Sequence, residues 1–344
     1  MPSVSIVMPV RDAERTLPMA IESCLSQTLP DFELILVDHG SVDGSFSVMK
    51  KYARRDSRIE VLKRPRTVPF VSVANLAWQE SHGALIARMD ADDFSYPARL
   101  QHQVKFLAAQ PDIVACGTLV RIRKRRTADT ASHTGPDDGY AAYESWINSV
   151  VTPDAIAAQR FIDSPLANPT TLIRREILER YGGYADPDWA EDYDLWLRLL
   201  EDGLALGKVD KCLFDWFDSD TRSTRTLDRY SQLRFQRAKA HYLARLPQVR
   251  QRGVAIAGAG PIGKKLARML RDEHRVTIGC FFEVSEKKIG NSIDGIPVLP
   301  SEALPDSPRR VLLGAVGLPG ARDQIRELAT GSAYCEGADF FCVA

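Results

Sequence analysis

With 344 residues, 44% of them apolar and 26% charged, the chain has the size and composition of roughly two ordinary globular domains. Forty-five Lys and Arg balance forty-five Asp and Glu, so no global charge points to nucleic acid as a partner. Six scattered cysteines form no CxxC pair, no apolar run reaches bilayer length, and the first residues lack the regions of a signal peptide, so a cytoplasmic protein with reduced thiols is expected.

Residues 3–8 read as a first strand and residues 32–37 as a second. Between them Leu17, Ala20, Ile21, Cys24 and Leu25 recur at i, i+3, i+4, i+7 and i+8, one face of an amphipathic helix. Residues 59–62 and 84–89 continue the strand series, and this alternation predicts an α/β fold with a parallel sheet covered by helices. The run at 84–89 ends in Asp90-Ala91-Asp92-Asp93. Pro97 then opens a helix lined by Leu100, Val104 and Leu107, which Pro111 ends. Residues 113–116 return to the sheet, followed by a basic run of Arg121, Arg123, Lys124, Arg125 and Arg126. Residues 127–160, rich in Ala, Asp, Gly and Ser, show no regular pattern.

Regularity resumes with a strand at 171–174, a Gly182-Gly183 turn and a helix through 192–200. Residues 227–246 interleave charges with Leu233, Phe235, Ala238 and Leu243, which suggests an exposed helix acting as a connector. A fresh α/β unit then begins with a strand at 254–257, the turn Gly258-Ala259-Gly260-Pro261-Ile262-Gly263, a helix through Leu266 and Leu270, and a strand that closes on Glu283. The expected organisation is a first domain over 1–222, a helical connector over 223–250 and a second domain over 251–344.

The acidic cluster carries the chemistry. Carboxylates at the carboxyl end of a strand sit where α/β sheets place their ligands. Asp90 and Asp92, spaced i, i+2, can share one divalent cation that keeps open positions for phosphate, and oxygen ligands of this kind favour Mg²⁺ or Mn²⁺. The plainer reading is a solvated acidic turn before a helix. The basic run reads most simply as an exposed strand end or loop, with contact to anionic lipid as the sharper alternative.

Four segments, taken in order, resemble the inverting family 2 glycosyltransferases of the GT-A fold over roughly residues 3–220. They are Val7-Met8-Pro9-Val10 with the turn after it, Val37-Asp38-His39-Gly40-Ser41-Val42-Asp43-Gly44-Ser45, Met89-Asp90-Ala91-Asp92-Asp93 with Pro97, Arg99, Leu100 and Gln103, and Gly182-Gly183-Tyr184 with residues 191–198. The resemblance implies transfer of a sugar from a nucleoside diphosphate to an acceptor hydroxyl with inversion, in glycan or surface-polysaccharide synthesis. By the same resemblance Pro9, Asp38, Asp90 and Asp92 meet the donor, and Asp92 and Asp90 hold the metal, with Asp93 in support. Asp192 is the implied base, its proton affinity raised by Glu191. Leu195, Trp196 and Leu199 are expected in the core rather than as a sugar platform.

A nucleoside-diphosphate sugar and a glycan or lipid-linked acceptor are the implied partners, with peripheral membrane contact. The chain departs from the family at His39, Arg11 and Asp12, and in the segment around Arg64, Arg66 and Asn75, where arginines could meet phosphate. Arg222 and Arg225 fall where the family often carries a basic segment over the diphosphate. A nucleotidyltransferase and a non-catalytic nucleotide-sugar binder with a degenerate donor site are the rival readings.

The last unit resembles the small Rossmann-like domain found in front of sugar acyltransferases and in CoA-binding or epimerase-like proteins. Gly258, Gly260, Gly263 and Glu283 are its candidate nucleotide-binding residues, with a shell used for packing or dimerisation as the alternative. No Tyr-x-x-x-Lys pair for hydride transfer is present.

Overall fold

Seven consecutive residues, Val4–Val10, form β1, and every one of them is buried. A parallel strand covered by helices on both faces cannot alternate polar and apolar side chains, which is why it reads as an unbroken apolar run. The computed structural model describes residues 1–124, 138–219, 222–318 and 320–344, and the chain forms two units. The first comprises Met1–Pro153, Leu166–Pro187 and Asp194–Thr226; the second comprises Asp154–Pro165, Asp188–Tyr193 and Leu227–Ala344.

The first unit adds β2 (Phe32–His39), β3 (Ile59–Arg64), β4 (Leu85–Arg88), β5 (Phe94–Ser95), β6 (Ile113–Lys124), β7 (Leu172–Arg174) and β8 (Ala205–Asp218) in the order β3-β2-β1-β4-β7-β6-β8-β5. The first four neighbours are parallel, β7 is antiparallel to β4 and β6, and β8 runs parallel to β6. The carboxyl ends of β1, β2 and β4 therefore share one edge, with Val10 in register with Asp38 and Arg88 with Val7. Chain order reverses between β1 and β4, and such a switch point leaves a crevice at that edge. Leu17, Ala20, Ile21 and Cys24 of helix Leu17–Leu25 pack in one cluster with Ile6, Met8, Leu34 and Leu36. Each fully buried aliphatic side chain of this kind contributes about 1.5–3 kcal/mol.

Helix Arg99–Ala109 begins as the proline signal predicts, but its first residue is fully buried. The Arg99 Nη1 donates to the carbonyls of Arg88 (3.2 Å) and Pro169 (2.7 Å), and Gln103 Nε2 to those of Cys116 (3.1 Å) and Thr170 (2.8 Å). Arg99 thus ties the end of β4, and Gln103 ties β6, to the turn at residues 168–170. The turn at Gly182 (φ 70°) and Gly183 (φ 68°) is held by Asn75, whose amide accepts from the Tyr184 N–H at 2.9 Å and donates to its carbonyl at 2.8 Å.

The basic run lies partly on β6: Arg121, Arg123 and Lys124 are exposed at its end, with Arg123 Nε 2.9 Å from Asp215, while Arg125 and Arg126 lie outside the described residues. The stretch without a sequence pattern contains helices Asp138–Ser149 and Pro153–Gln159. All six cysteines are free. Among the described residues no helix is long and apolar enough to cross a membrane.

The second unit contains β9 (Val254–Ala257), β10 (Ile278–Glu283), β11 (Ser292–Ile293), β12 (Ile296–Pro300), β13 (Val311–Gly314) and β14 (Phe340–Cys342), in the order β11-β12-β10-β9-β13-β14. All neighbours are parallel except β11 with β12. The five parallel strands follow the third-second-first-fourth-fifth order of a doubly wound sheet, with the glycine turn leaving the first strand at its switch point.

Helix Gln232–Arg245 corrects the expectation of an exposed connector. It buries Ala238, Ala240 and Leu243 together with Gln236 and Lys239, and it belongs to this unit. Lys239 can be buried because its ammonium donates to the carbonyls of Ile162 (2.8 Å) and Val343 (3.0 Å), although burial pushes it down to about 8.

Two of the three turn glycines are required by the fold itself. Gly258 has φ +114°, and a Cβ on Gly263 would lie 2.1 Å from the Gly258 carbonyl oxygen; a Cβ on Gly260 would meet nothing within 4 Å. Gly263→Ala is therefore expected to destabilise the second unit by about 2–3 kcal/mol, and Gly260→Ala to change it by less than about 0.5 kcal/mol, as read from urea unfolding midpoints.

Candidate active site

The chain leaves β4 between two buried residues, Met89 and Ala91, while the Asp90 and Asp92 side chains stay 26% and 31% exposed. Asp93 is fully buried. One oxygen of each carboxylate lies within 4.8 Å of the others. Such proximity is tolerable only with compensating charge.

Two guanidinium groups supply it. Arg88, at the end of β4, places Nη2 2.7 Å from Asp90 Oδ1. Arg222 donates from Nη1 and Nη2 to the two oxygens of Asp93, both at 3.0 Å, and from Nη2 to Asp90 Oδ2 at 3.1 Å. Its Nη1 lies 3.7 Å from Asp92 Oδ2. The Arg222 guanidinium stands 4.8 Å from the centre of the Trp216 ring, and its Nη1 donates to the Phe217 carbonyl at 2.6 Å. The Phe217 N–H in turn donates to Asp93 Oδ1 at 2.8 Å. Burial pushes the Asp93 carboxyl up against the pull of Arg222. Burial also lowers the Arg222 guanidinium by itself, but Asp93, Asp92 and Asp90 outweigh it and raise the group, so Arg222 stays charged. Two parallel N–H to O bonds at 3.0 Å describe an ionised pair.

The cluster thus divides by role. Asp93 spends its oxygens on Arg222 and the Phe217 N–H, while Asp90 and Asp92 keep the exposure a cation would need. Their oxygen donor set fits a divalent ion with open positions. Arg88 is the residue that sequence reasoning missed. Its signal is a lone arginine in an apolar strand two residues before the first acid, since a buried charge must be paired.

At the neighbouring strand ends Pro9 is buried in β1, and Asp38 Oδ1 accepts from the Ser41 N–H at 3.2 Å. Asp38 Oδ2 is buried without a hydrogen-bond partner. His39 is buried rather than solvated, its Nε2–H donating to the Val68 carbonyl at 2.7 Å. Asp12 (φ 49°) accepts from the Val42 N–H at 2.8 Å and forms an ion pair with Arg66.

Asp192 lies in the first turn of helix Glu191–Glu201, and its Oδ1 accepts the Tyr193 N–H at 2.8 Å. The units divide within this helix, after Tyr193, so Glu191 and Asp192 belong to the second unit. Glu191 is buried and accepts the Tyr230 hydroxyl at 2.9 Å, with Arg229 Nε at 3.4 Å. Asp194 pairs with Arg198 at 2.8 Å, and Leu195, Trp196 and Leu199 are fully buried core residues. Arg225 forms a two-pronged pair with Asp218 at 2.8 and 2.6 Å.

In the glycine turn of the second unit, Glu283 accepts from the N–H groups of Ala259 (3.2 Å), Val284 (3.0 Å) and Ser285 (3.3 Å) and from Lys288 Nζ (2.8 Å). A cavity of about 550 Å³ lies over the turn, lined by residues 259–261 with Lys264, Lys265, Arg268 and Lys288.

Asp93→Asn removes the charge that anchors Arg222. The variant is expected to lose roughly 3 kcal/mol of stability in urea unfolding, because a buried guanidinium loses its main partner.

The glycosyl transferase family 2 model matches residues 5–182, more than half of the chain. EpsE of Bacillus subtilis, whose name assigns it to the glycosyltransferases, is 30% identical over 217 residues, which cover 62% of this chain and 72% of EpsE. The O-antigen biosynthesis glycosyltransferase WbnJ of Escherichia coli is 27% identical over 219 residues, 62% of this chain and 78% of WbnJ. The structure of residues 1–349 of S. aureus TarS with UDP-GlcNAc shares the fold at a TM-score of 0.53 and 15% identity, covering 71% of this chain and 67% of that one. The chain belongs to glycosyl transferase family 2 and is a glycosyltransferase.

Proposed function

We propose that the chain moves a sugar from a nucleoside diphosphate to an acceptor hydroxyl with inversion, in the assembly of a glycan or surface polysaccharide. The carrying observation is the outward-facing pair Asp90 and Asp92 at the switch point of the sheet, backed by a buried Asp93. The O-antigen role in the name of WbnJ and the UDP-GlcNAc bound to TarS support the acceptor and donor classes.

Asp92 and Asp90 would hold a divalent ion, which when bound offsets the charge that develops on the leaving diphosphate. Pro9 and Asp38 face the nucleoside; the unpartnered Asp38 oxygen accepts a hydrogen bond from it. Asp192 takes the acceptor's proton, a role that rests on its place in the Glu191-Asp192 helix start. In the second unit the turn at Gly258, Gly260 and Gly263 takes a nucleotide phosphate. The open side of Gly260 and the lysines lining the cavity support this, with Glu283 holding the loop in shape.

Nucleoside diphosphate release from a panel of sugar nucleotides, with and without Mn²⁺ or Mg²⁺, tests the reading. One donor is expected to turn over with the metal present, and Asp92→Asn to lower kcat by about 10²-fold or more. Turnover unchanged in that variant would overturn the assignment. Asp192→Asn is expected to lower kcat by about 10²- to 10⁴-fold while donor affinity, read by calorimetry, stays within about twofold.

A further inference from the structure

The cation nearest to Asp90, Asp92 and Asp93 is part of the chain itself. The Arg222 side chain is only 7% exposed, backed by Trp216 and gripped through both terminal nitrogens by Asp93. From that anchored position its Nη2 reaches Asp90 Oδ2, and its Nη1 faces Asp92 Oδ2 at 3.7 Å. Arg88 holds the other Asp90 oxygen at 2.7 Å. Both oxygens of Asp90 are therefore engaged by guanidinium groups.

A divalent ion binds carboxylate oxygen at about 2.0–2.2 Å and takes the lone pairs that the Arg222 N–H groups use. The two cations also repel across a buried, weakly screened distance. They cannot share Asp90 Oδ2 on equal terms. The Asp93 pair, facing away from solvent, need not break when Arg222 lets Asp90 go.

We propose that Arg222 is a built-in counter-cation competing with the divalent ion for Asp90 and Asp92, so that ion binding and release of the Arg222–Asp90 contact are one event. This rests on the reading that Asp90 and Asp92 hold the ion. Without an ion, Arg222 keeps three close carboxylates compatible with a folded site. With one, its Nη2 is freed from Asp90 beside the incoming ligand. Intrinsic ion affinity is weakened as a result, and the empty site resists stray cations.

The test is a titration of the full chain with Mn²⁺ in the absence of nucleotide, free Mn²⁺ being read by electron paramagnetic resonance. Arg222→Met is expected to bind Mn²⁺ at least tenfold more tightly than the wild type, about 1.4 kcal/mol. Asp92→Asn is expected to lose binding in either background. Equal or weaker binding by Arg222→Met, with Asp92→Asn still abolishing it, overturns the competition and leaves the metal assignment standing. Absence of Mn²⁺ binding in every form overturns both.

If Arg222→Met folds only with Mn²⁺, shown by an ion-dependent thermal transition, the ion has replaced the guanidinium and the proposal is supported. If it fails to fold even then, Arg222→Lys decides, because an ammonium is a point charge that cannot bridge Asp93 and Asp90 together. Binding about threefold tighter than wild type supports the proposal, and unchanged or weaker binding overturns it.

Discussion

Three carboxylates within 4.8 Å at the end of a buried strand impose the constraint on which the first unit is built. Left alone they would repel one another and lose hydration, a penalty of several kcal/mol per buried charge. The remedy draws on distant parts of the chain: Arg88 comes from the strand itself, and Arg222 follows β8 together with the Phe217 N–H. The electrostatics of five residues thereby join the end of β4, in the middle of the sheet, to the segment after β8. Arg99 completes the arrangement by donating to the Arg88 carbonyl.

Much of this was legible in the sequence, for a physical reason. β1, β2 and β4 are buried parallel strands, and near-continuous apolar runs are their direct signature, with β2 and β4 leading into acids. The acidic cluster was legible too, but the division of labour within it was not. Asp93 differs from Asp92 only in which side of the turn it faces, and its partner stands more than a hundred residues along the chain. Charge partners have no sequence period. Helix Gln232–Arg245 was misread for the same reason: Lys239 looks like a solvated residue until the Ile162 and Val343 carbonyls are brought to it. Asn75 likewise shows no sign in sequence of its two bonds to Tyr184.

The departures from the family pattern are not vacant positions. His39 is buried and fixed by the Val68 carbonyl, and Asp12 is held between the Val42 N–H and Arg66. The segments that follow β1, β2 and β3 are thus bonded to one another. Asp38, next to His39, keeps one buried oxygen unsatisfied. An unsatisfied buried acceptor costs about 1–3 kcal/mol, which a ligand donating to it recovers.

The second unit closes on segments far apart in sequence. Phe161 meets Phe341 with ring centres 5.4 Å apart, Lys239 joins the carbonyls of Ile162 and Val343, and Tyr193 stacks on Phe235 at 5.1 Å. During synthesis, residues 154–165 and 188–193 emerge well before the rest of the unit they belong to. Phe161 stays uncovered until β14 has been made, whereas residues 188–193 find their partners, Tyr230, Arg234 and Phe235, about forty residues later. Closure across such sequence separations slows folding.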